Sequence, residues 1–371
     1  MAKRYPLLAG AILIACAAGV SAQQQKGDVR TAKPINQSDL PAQLRPEAKI
    51  VKNYVPPKTA WGDPQIAGAY TNSDESGIPF ERPAEFDGKK QADVSPEQLA
   101  KIVKQRQEQT VARTPGLSEF PGATSPLHWF ENYRAENSRA WLVTDDTDGK
   151  VPPTLPEAEA RNAERQRLRR ARGPADSAED RSLYDRCITR GIPGSMMPAI
   201  YGNSYQILQG PGYVAIKYEM VNETRVIPLA PMNTAPHVSA KIREYLGDAR
   251  GHFEGNTLVV ETTNFTDKTA YRGSSENLKL IEHFKPIGPN TVEWSVTFDD
   301  PHTWAKPWTF AMDLTKVPDS QGPFEYACNE GNYGMHNMLT AARAEEAEIK
   351  AAAAKGIVKA PSAQDPDEGE K

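Results

Sequence analysis

The stretch "TVEWSVTFDDPHTWAKPWTFAMDL", residues 291–314, sets the fold. Val292, Trp294, Val296 and Phe298 alternate with polar neighbours, and Trp308, Phe310, Met312 and Leu314 do the same. Successive side chains of a strand point to opposite faces, so a period of two over each run predicts a strand with one buried face. The loop Asp299–Pro307 is too short for a crossover helix, so the two strands are antiparallel neighbours.

Working outward, the same period continues with turn signals at the spacing of a meander. Tyr205–Gln209 and Tyr213–Met220 flank Gly210-Pro211-Gly212, Arg225–Leu229 returns after a tight turn, and Thr257–Phe265 follows Glu254-Gly255-Asn256. Asn277–Lys285 turns about Gly288-Pro289-Asn290 into the strand at 291–298, and Phe324–Cys328 closes the set. Eight strands on short connections imply a mainly β core, an antiparallel meander forming a barrel or a strongly curved sheet. A short helix is expected at Ser239–Leu246, and the core runs over 183–338.

The flanks are less regular, as 31 prolines in 371 residues suggest. Residues 1–22 read as a signal peptide: Lys3 and Arg4, an apolar run from Leu7 to Val20, and small residues before a cut after Ala22. Leu13-Ile14-Ala15-Cys16 offers a second reading, a lipobox with an acyl chain on Cys16 as lipid anchor. Either way the chain is expected to be exported to the periplasm or beyond. No later segment is apolar enough for a transmembrane helix. Residues 23–58 form a polar leader and 59–182 an irregular region with short strands at Ile66–Tyr70 and Arg139–Thr144. That region also holds two helices, one starting at Ser95 with Gln98 as capping box and one at Pro156. The arginine cluster of the second helix is expected on a solvated face. A helix over 339–355 and an acidic tail over 356–371 end the chain.

Losing Lys3 and Arg4 takes the formal net charge from −4 to −6, which argues against nucleic acid as a partner. In an oxidising compartment the two cysteines left after the leader, Cys187 and Cys328, are expected to form a disulfide. Closing a loop of more than a hundred residues stabilises by at most about 4 to 5 kcal/mol in the chain-entropy model. The bridge would gather Arg190 from one flank with Glu330 and Asn332 from the other.

Departures from alternation mark the remaining candidates. Glu282 shares a face with Leu278, Leu280 and Phe284, and Glu261 lies beside Val259 and Phe265. A carboxylate on a buried face needs a partner or a raised pKa. Each is therefore either half of a Glu–Arg pair, with Arg225 and Arg272 as candidates, or a general acid/base. Trp304 and Trp308 are placed to stack on a ligand at a cavity mouth. The six histidines show no metal-ligand spacing, and no cofactor fingerprint occurs, so neither metal nor cofactor is expected.

The blocks "CITRGIPGSMMPAIYGNSYQILQGPGYVAI", "LGDARGHFEGNTLVVETTNFTDKTAYRGSSENL" and "EYACNEGNYG" resemble a large, functionally uncharacterised family of exported proteins from environmental Gram-negative bacteria. The resemblance spans about residues 183–344 and implies export without any activity to carry over. A distant likeness to lipocalin-like barrels rests on Gly68-Ala69-Tyr70, with Tyr where that fold places Trp. Two functions stay open. One is binding of a small-molecule ligand of sugar, phenolic or terpenoid type in the barrel cavity. The other is a cofactor-free enzyme, a lyase, isomerase or hydrolase, using Glu282 or Glu261 with an arginine electrophile.

Overall fold

The computed structural model describes residues 50–113, 136–199, 201–229, 236–319 and 322–359. The expected signal peptide, Cys16, most of the leader and the acidic tail beyond residue 359 lie outside the described residues.

The described strands are β1 (Gly68–Thr71), β2 (Ser204–Gly210), β3 (Tyr213–Tyr218), β4 (Thr224–Pro228), β5 (Asp248–Glu254), β6 (Thr257–Thr263), β7 (Lys279–Gly288), β8 (Thr291–Asp299) and β9 (Trp308–Val317). They form one antiparallel sheet in the order β4-β3-β2-β1-β9-β8-β7-β6-β5. Two meanders are thus joined where β1 pairs with β9. The strand at 291–299 pairs as its alternation demands, with Trp294 opposite Met312 and Phe298 opposite Trp308.

The sheet is curved but not closed. With nine strands in strict antiparallel alternation, the two edges β4 and β5 run in the same direction, so any seam between them has to be parallel. They meet at a single isolated parallel bridge, Leu229 to Gly251. The approach is tight enough that a Cβ on Gly251 would come within 2.8 Å of Leu229 Cδ2 and 2.9 Å of Ile227 Cγ2.

The concave face is filled by aromatic rings. Phe298 and Trp308 stack with centroids 4.2 Å apart, Trp304 meets Trp308 edge-on at 5.3 Å, and Trp294 meets Phe310 edge-on at 5.5 Å. All five are buried. Offset and edge-to-face packing of this kind is worth about 0.5–1.5 kcal/mol per pair beyond area burial.

Three expected elements take other forms. Residues 139–144 make only the bridge Val143 to Phe310. The flank of β9 is shared: β1 occupies residues 315–317, whereas Thr144 N donates to Thr309 O at 2.9 Å and Ala311 N to Leu142 O at 3.0 Å. Residues 324–328 form no strand, and β9, the strand before them, has partners on both sides. Residues 239–246 are a turn rather than a helix, bridged from Glu244 to Phe265. Strand β5 was not expected, since Asp-Ala-Arg-Gly-His-Phe-Glu carries few strand formers.

Outside the sheet lie α1 (Pro96–Arg113), α2 (Pro156–Arg170) and α3 (Tyr333–Ala353). Ser95 and Gln98 make the expected capping box: Ser95 N donates to Gln98 Oε1 at 3.0 Å and Gln98 N to Ser95 Oγ at 3.3 Å. The arginines of α2 are divided. Arg161 donates to Gly273 O and Thr303 Oγ1, and Arg165 to Ser274 O, so these two dock the helix while Arg167 pairs with Glu164 in solvent. No helix among the described residues is long and apolar enough to cross a membrane.

The tight seam gives a stability test. Gly251→Val should force β4 away from β5 and lower stability by about 1–3 kcal/mol, the usual cost of overpacking. Gly255→Ala, in open space at φ +59°, should cost only about 1 kcal/mol. Equal urea midpoints for the two variants would show that the seam carries no packing.

Candidate functional site

Cys187 and Cys328 are joined as a disulfide, with Sγ atoms 2.00 Å apart and Cα atoms 5.6 Å apart. On one side the chain winds through a tight turn, where Cys187 N donates to Tyr184 O and Ile188 N to Leu183 O. On the other, residues 322–332 run irregularly from β9 into α3. Asn332 fixes the junction. Its Oδ1 accepts from Met335 N at 3.1 Å and caps α3, while its Nδ2 donates to Asp185 O at 2.9 Å and lies 3.3 Å from Cys187 Sγ.

Between these segments lies a cleft of about 440 Å³. Tyr184, Asp185, Glu325, Tyr326, Met335 and Met338 line it, together with both sulfurs. The Tyr184 and Tyr326 hydroxyls are 3.1 Å apart, and the Tyr184 hydroxyl is 3.7 Å from Met220 Sδ. Burial pushes both phenols above their ordinary pKa, so they stay protonated and serve as hydrogen-bonding groups rather than anions.

The inner face of the sheet holds a second polar constellation. Glu282 is wholly buried, and its Oε2 lies 2.6 Å from Arg225 Nη2. Trp294 Nε1 donates to Glu282 Oε1 at 3.2 Å, and Arg225 Nη2 also donates to Thr262 Oγ1 at 2.6 Å. Burial alone would lower the guanidinium pKa, but the Glu282 carboxylate and the nearby Tyr218 phenol reverse this and hold it above the ordinary value. The pair crosses from β4 to β7, which are not neighbours in the sheet. It therefore ties the two meanders together through the interior.

The other sequence candidates are dispersed. Glu261 faces outward and half-exposed, 3.2 Å from His237 Nε2, while Asp248 Oδ2 lies 2.9 Å from His237 Nδ1. Both ring nitrogens of His237 thus lie within hydrogen-bond distance of a carboxylate oxygen. Asp248 Oδ2 also accepts from Val238 N and Asn264 Nδ2 donates to Val238 O, so His237 pins the segment after residue 235. Arg272 is exposed, its guanidinium 3.8 Å from the Phe80 ring centroid, and no ion pair joins it to Glu282 among the described residues. Arg190 lies over the Tyr184 ring at 5.4 Å, and Glu330 is exposed, with no ion pair between them among the described residues. Trp304 and Trp308 sit in the core rather than at a cavity mouth. The disulfide thus brings Asn332 and, through Tyr184, Arg190 to one place.

Sequence reasoning missed Tyr184 and Tyr326, although each lies within three residues of a cysteine whose pairing was expected. It also missed Glu75, in a short 3-10 turn without periodicity. Glu75 accepts from Ser138 N at 2.8 Å and Ser138 Oγ at 2.5 Å, and burial followed by the Asp313 carboxylate pushes its pKa up to about 7. Arg139 bonds Asp313 at 3.1 Å and Glu293 at 3.2 Å beside it, and Arg106 adds a further positive charge.

Among the described residues no His, Cys, Asp or Glu group converges as a metal site. In comparisons with known proteins the chain matches no family model, no curated protein and no solved structure.

Two measurements check these assignments. Glu282→Ala would leave Arg225 buried and unpaired, so unfolding free energy should drop by about 3–5 kcal/mol, whereas replacing both residues by leucine and methionine should recover much of that loss. A small loss for the single variant would mean that the pair is not a cross-sheet tie. Glu75 titrates near 4.5 when unfolded and about 7 when folded, so between these values the folded state holds a proton that the unfolded state has released. Stability should then fall as pH rises from about 4.5 to 7, by up to roughly 3 kcal/mol, and level off above. Denaturation midpoints of Glu75→Gln should lack that component, and parallel pH profiles for the two proteins would refute it.

Proposed function

We propose that this chain is an exported protein that binds a small, partly apolar molecule in the cleft beside the disulfide. The observation that carries the reading is the cleft itself: an open recess of about 440 Å³, lined by two phenols, two methionines and two carboxylates. The volume falls within the range of ligand pockets, roughly 300–1,000 Å³, and the lining mixes apolar and polar groups, although the recess is open to solvent rather than enclosed. The inner face of the sheet offers less, since Trp294, Phe298, Trp308 and Phe310 pack there against one another. Export is supported by the leader pattern of residues 1–22 and by the paired cysteines, with Cys16 as the alternative anchor point. Membership of the exported family named above is part of the same proposal: two of its three blocks supply the cysteines that wall the cleft.

One observation favours an enzyme instead, the hydrogen-bonded His237–Glu261 pair in reach of solvent. Both nitrogens of His237 are engaged, so Glu261 would be the acting base. Glu282 is sealed against Arg225 and Trp294 and meets no substrate.

A thermal-shift screen of sugars, phenolics and terpenoids on the oxidised protein tests both readings. A hit should bind Tyr326→Ala about tenfold more weakly, since aromatic contacts contribute on the order of 1 kcal/mol or more. Disulfide reduction should also weaken it. No hit, or a hit indifferent to both changes, would overturn cleft binding. Consumption of the hit that stops in Glu261→Gln would establish the enzyme.

A further inference from the structure

We infer that the cleft selects an organic cation, one ammonium nitrogen on an aromatic or aliphatic body. This rests on the cleft being the binding site and adds the chemical class of what enters it.

The argument is one of charge. Asp185 and Glu325 line the cleft, and no lysine or arginine does so among the described residues. Asp185 already has a partner, Arg181 Nη2 at 3.0 Å. Glu325 also lines the cleft, is exposed and has no ion pair among the described residues. Three features beside the cleft could favour an anion: Arg181, which is paired with Asp185, Arg190, which lies over the Tyr184 ring, and the start of α3. There Asn332 occupies the helix end, accepting from Met335 N.

The walls suit the same ligand. Tyrosine faces carry negative electrostatic potential and attract cations within about 6 Å of the ring. Tyr184 already holds the Arg190 guanidinium at 5.4 Å. Tyr326 lines the cleft beside Glu325 without a described cation over its ring, which leaves carboxylate and ring together for a guest nitrogen. Met335 and Met338 provide polarizable, adaptable surface for the body. A neutral alcohol of the same shape keeps the apolar contacts and loses both charge terms. A carboxylic acid adds repulsion from Glu325.

Three probes that share a phenylethyl body separate these cases by isothermal titration on the oxidised protein: phenethylammonium, 2-phenylethanol and the slightly larger 3-phenylpropionate. Phenethylammonium should bind about tenfold more tightly than the alcohol, the size of one charge-assisted contact, with the acid weakest. High salt should narrow the gap. Glu325→Gln, an exposed change that leaves the fold alone, should reduce the ammonium to the affinity of the alcohol. Met338→Lys, which removes an apolar contact and adds a positive charge, should weaken the ammonium by more than the alcohol. If alcohol and ammonium bind equally, or Glu325→Gln changes nothing, the cation assignment fails and cleft binding stands. If none of the three binds, the assignment also fails, and the wider screen decides the cleft reading separately.

Discussion

The buried contact between Arg225 and Glu282 is the constraint around which the molecule is arranged. A carboxylate and a guanidinium in an apolar interior tolerate no loss of partner, because either alone would be an uncompensated charge. Arg225 stands on an edge strand and Glu282 near the middle of the other meander, so satisfying the pair fixes how far the sheet must curl. Thr262 and Trp294 each add one hydrogen bond to the pair, while Arg225 Nε and Nη1 are buried without a hydrogen-bond partner among the described residues. The aromatic layer beside them then fills what space the curl encloses.

The disulfide plays the corresponding part at the periphery. Residues 322–332 leave a strand with no free edge to join, and the chain there has no ladder to hold it. Its position follows from the sulfur bridge, the Asn332 cap and the Tyr184–Tyr326 contact. The cleft is therefore formed by irregular chain held against the protein at a few covalent and polar points. Such sites on tethered loops are common where a scaffold is rigid and recognition is local.

Much of the sheet was legible. Clean alternation in 291–298 and 308–314 located β8 and β9, and Glu282 stood out as a charge on an apolar face. Composition hid β5, whose pairing comes from its neighbour β6 and not from its own residues. The strand expected at 324–328 reads well locally, but local pattern cannot show that β9 has both sides occupied. Trp304 and Trp308 illustrate a related limit: an aromatic beside proline reads the same whether its ring faces a ligand or another ring. For the cleft, the cysteine pair gave the location and left the lining phenols unmarked, since no period singles out Tyr184 or Tyr326. Glu75 was beyond reach because its surroundings, Ser138 and Asp313, come from distant parts of the chain.

The two edge strands run the same way and meet at one parallel bridge among the described residues, which leaves most of each rim unpaired, and unpaired rims invite other chains to add on. The sequence blunts both. Strand β4 has five residues and ends in Pro228, which offers no amide to an incoming strand. Strand β5 carries Asp248, Arg250, His252 and Glu254 at alternate positions, so a copy sliding alongside would have to match a row of charged and titratable groups. A sheet left open at both rims thus carries, in its own edge residues, a guard against self-association.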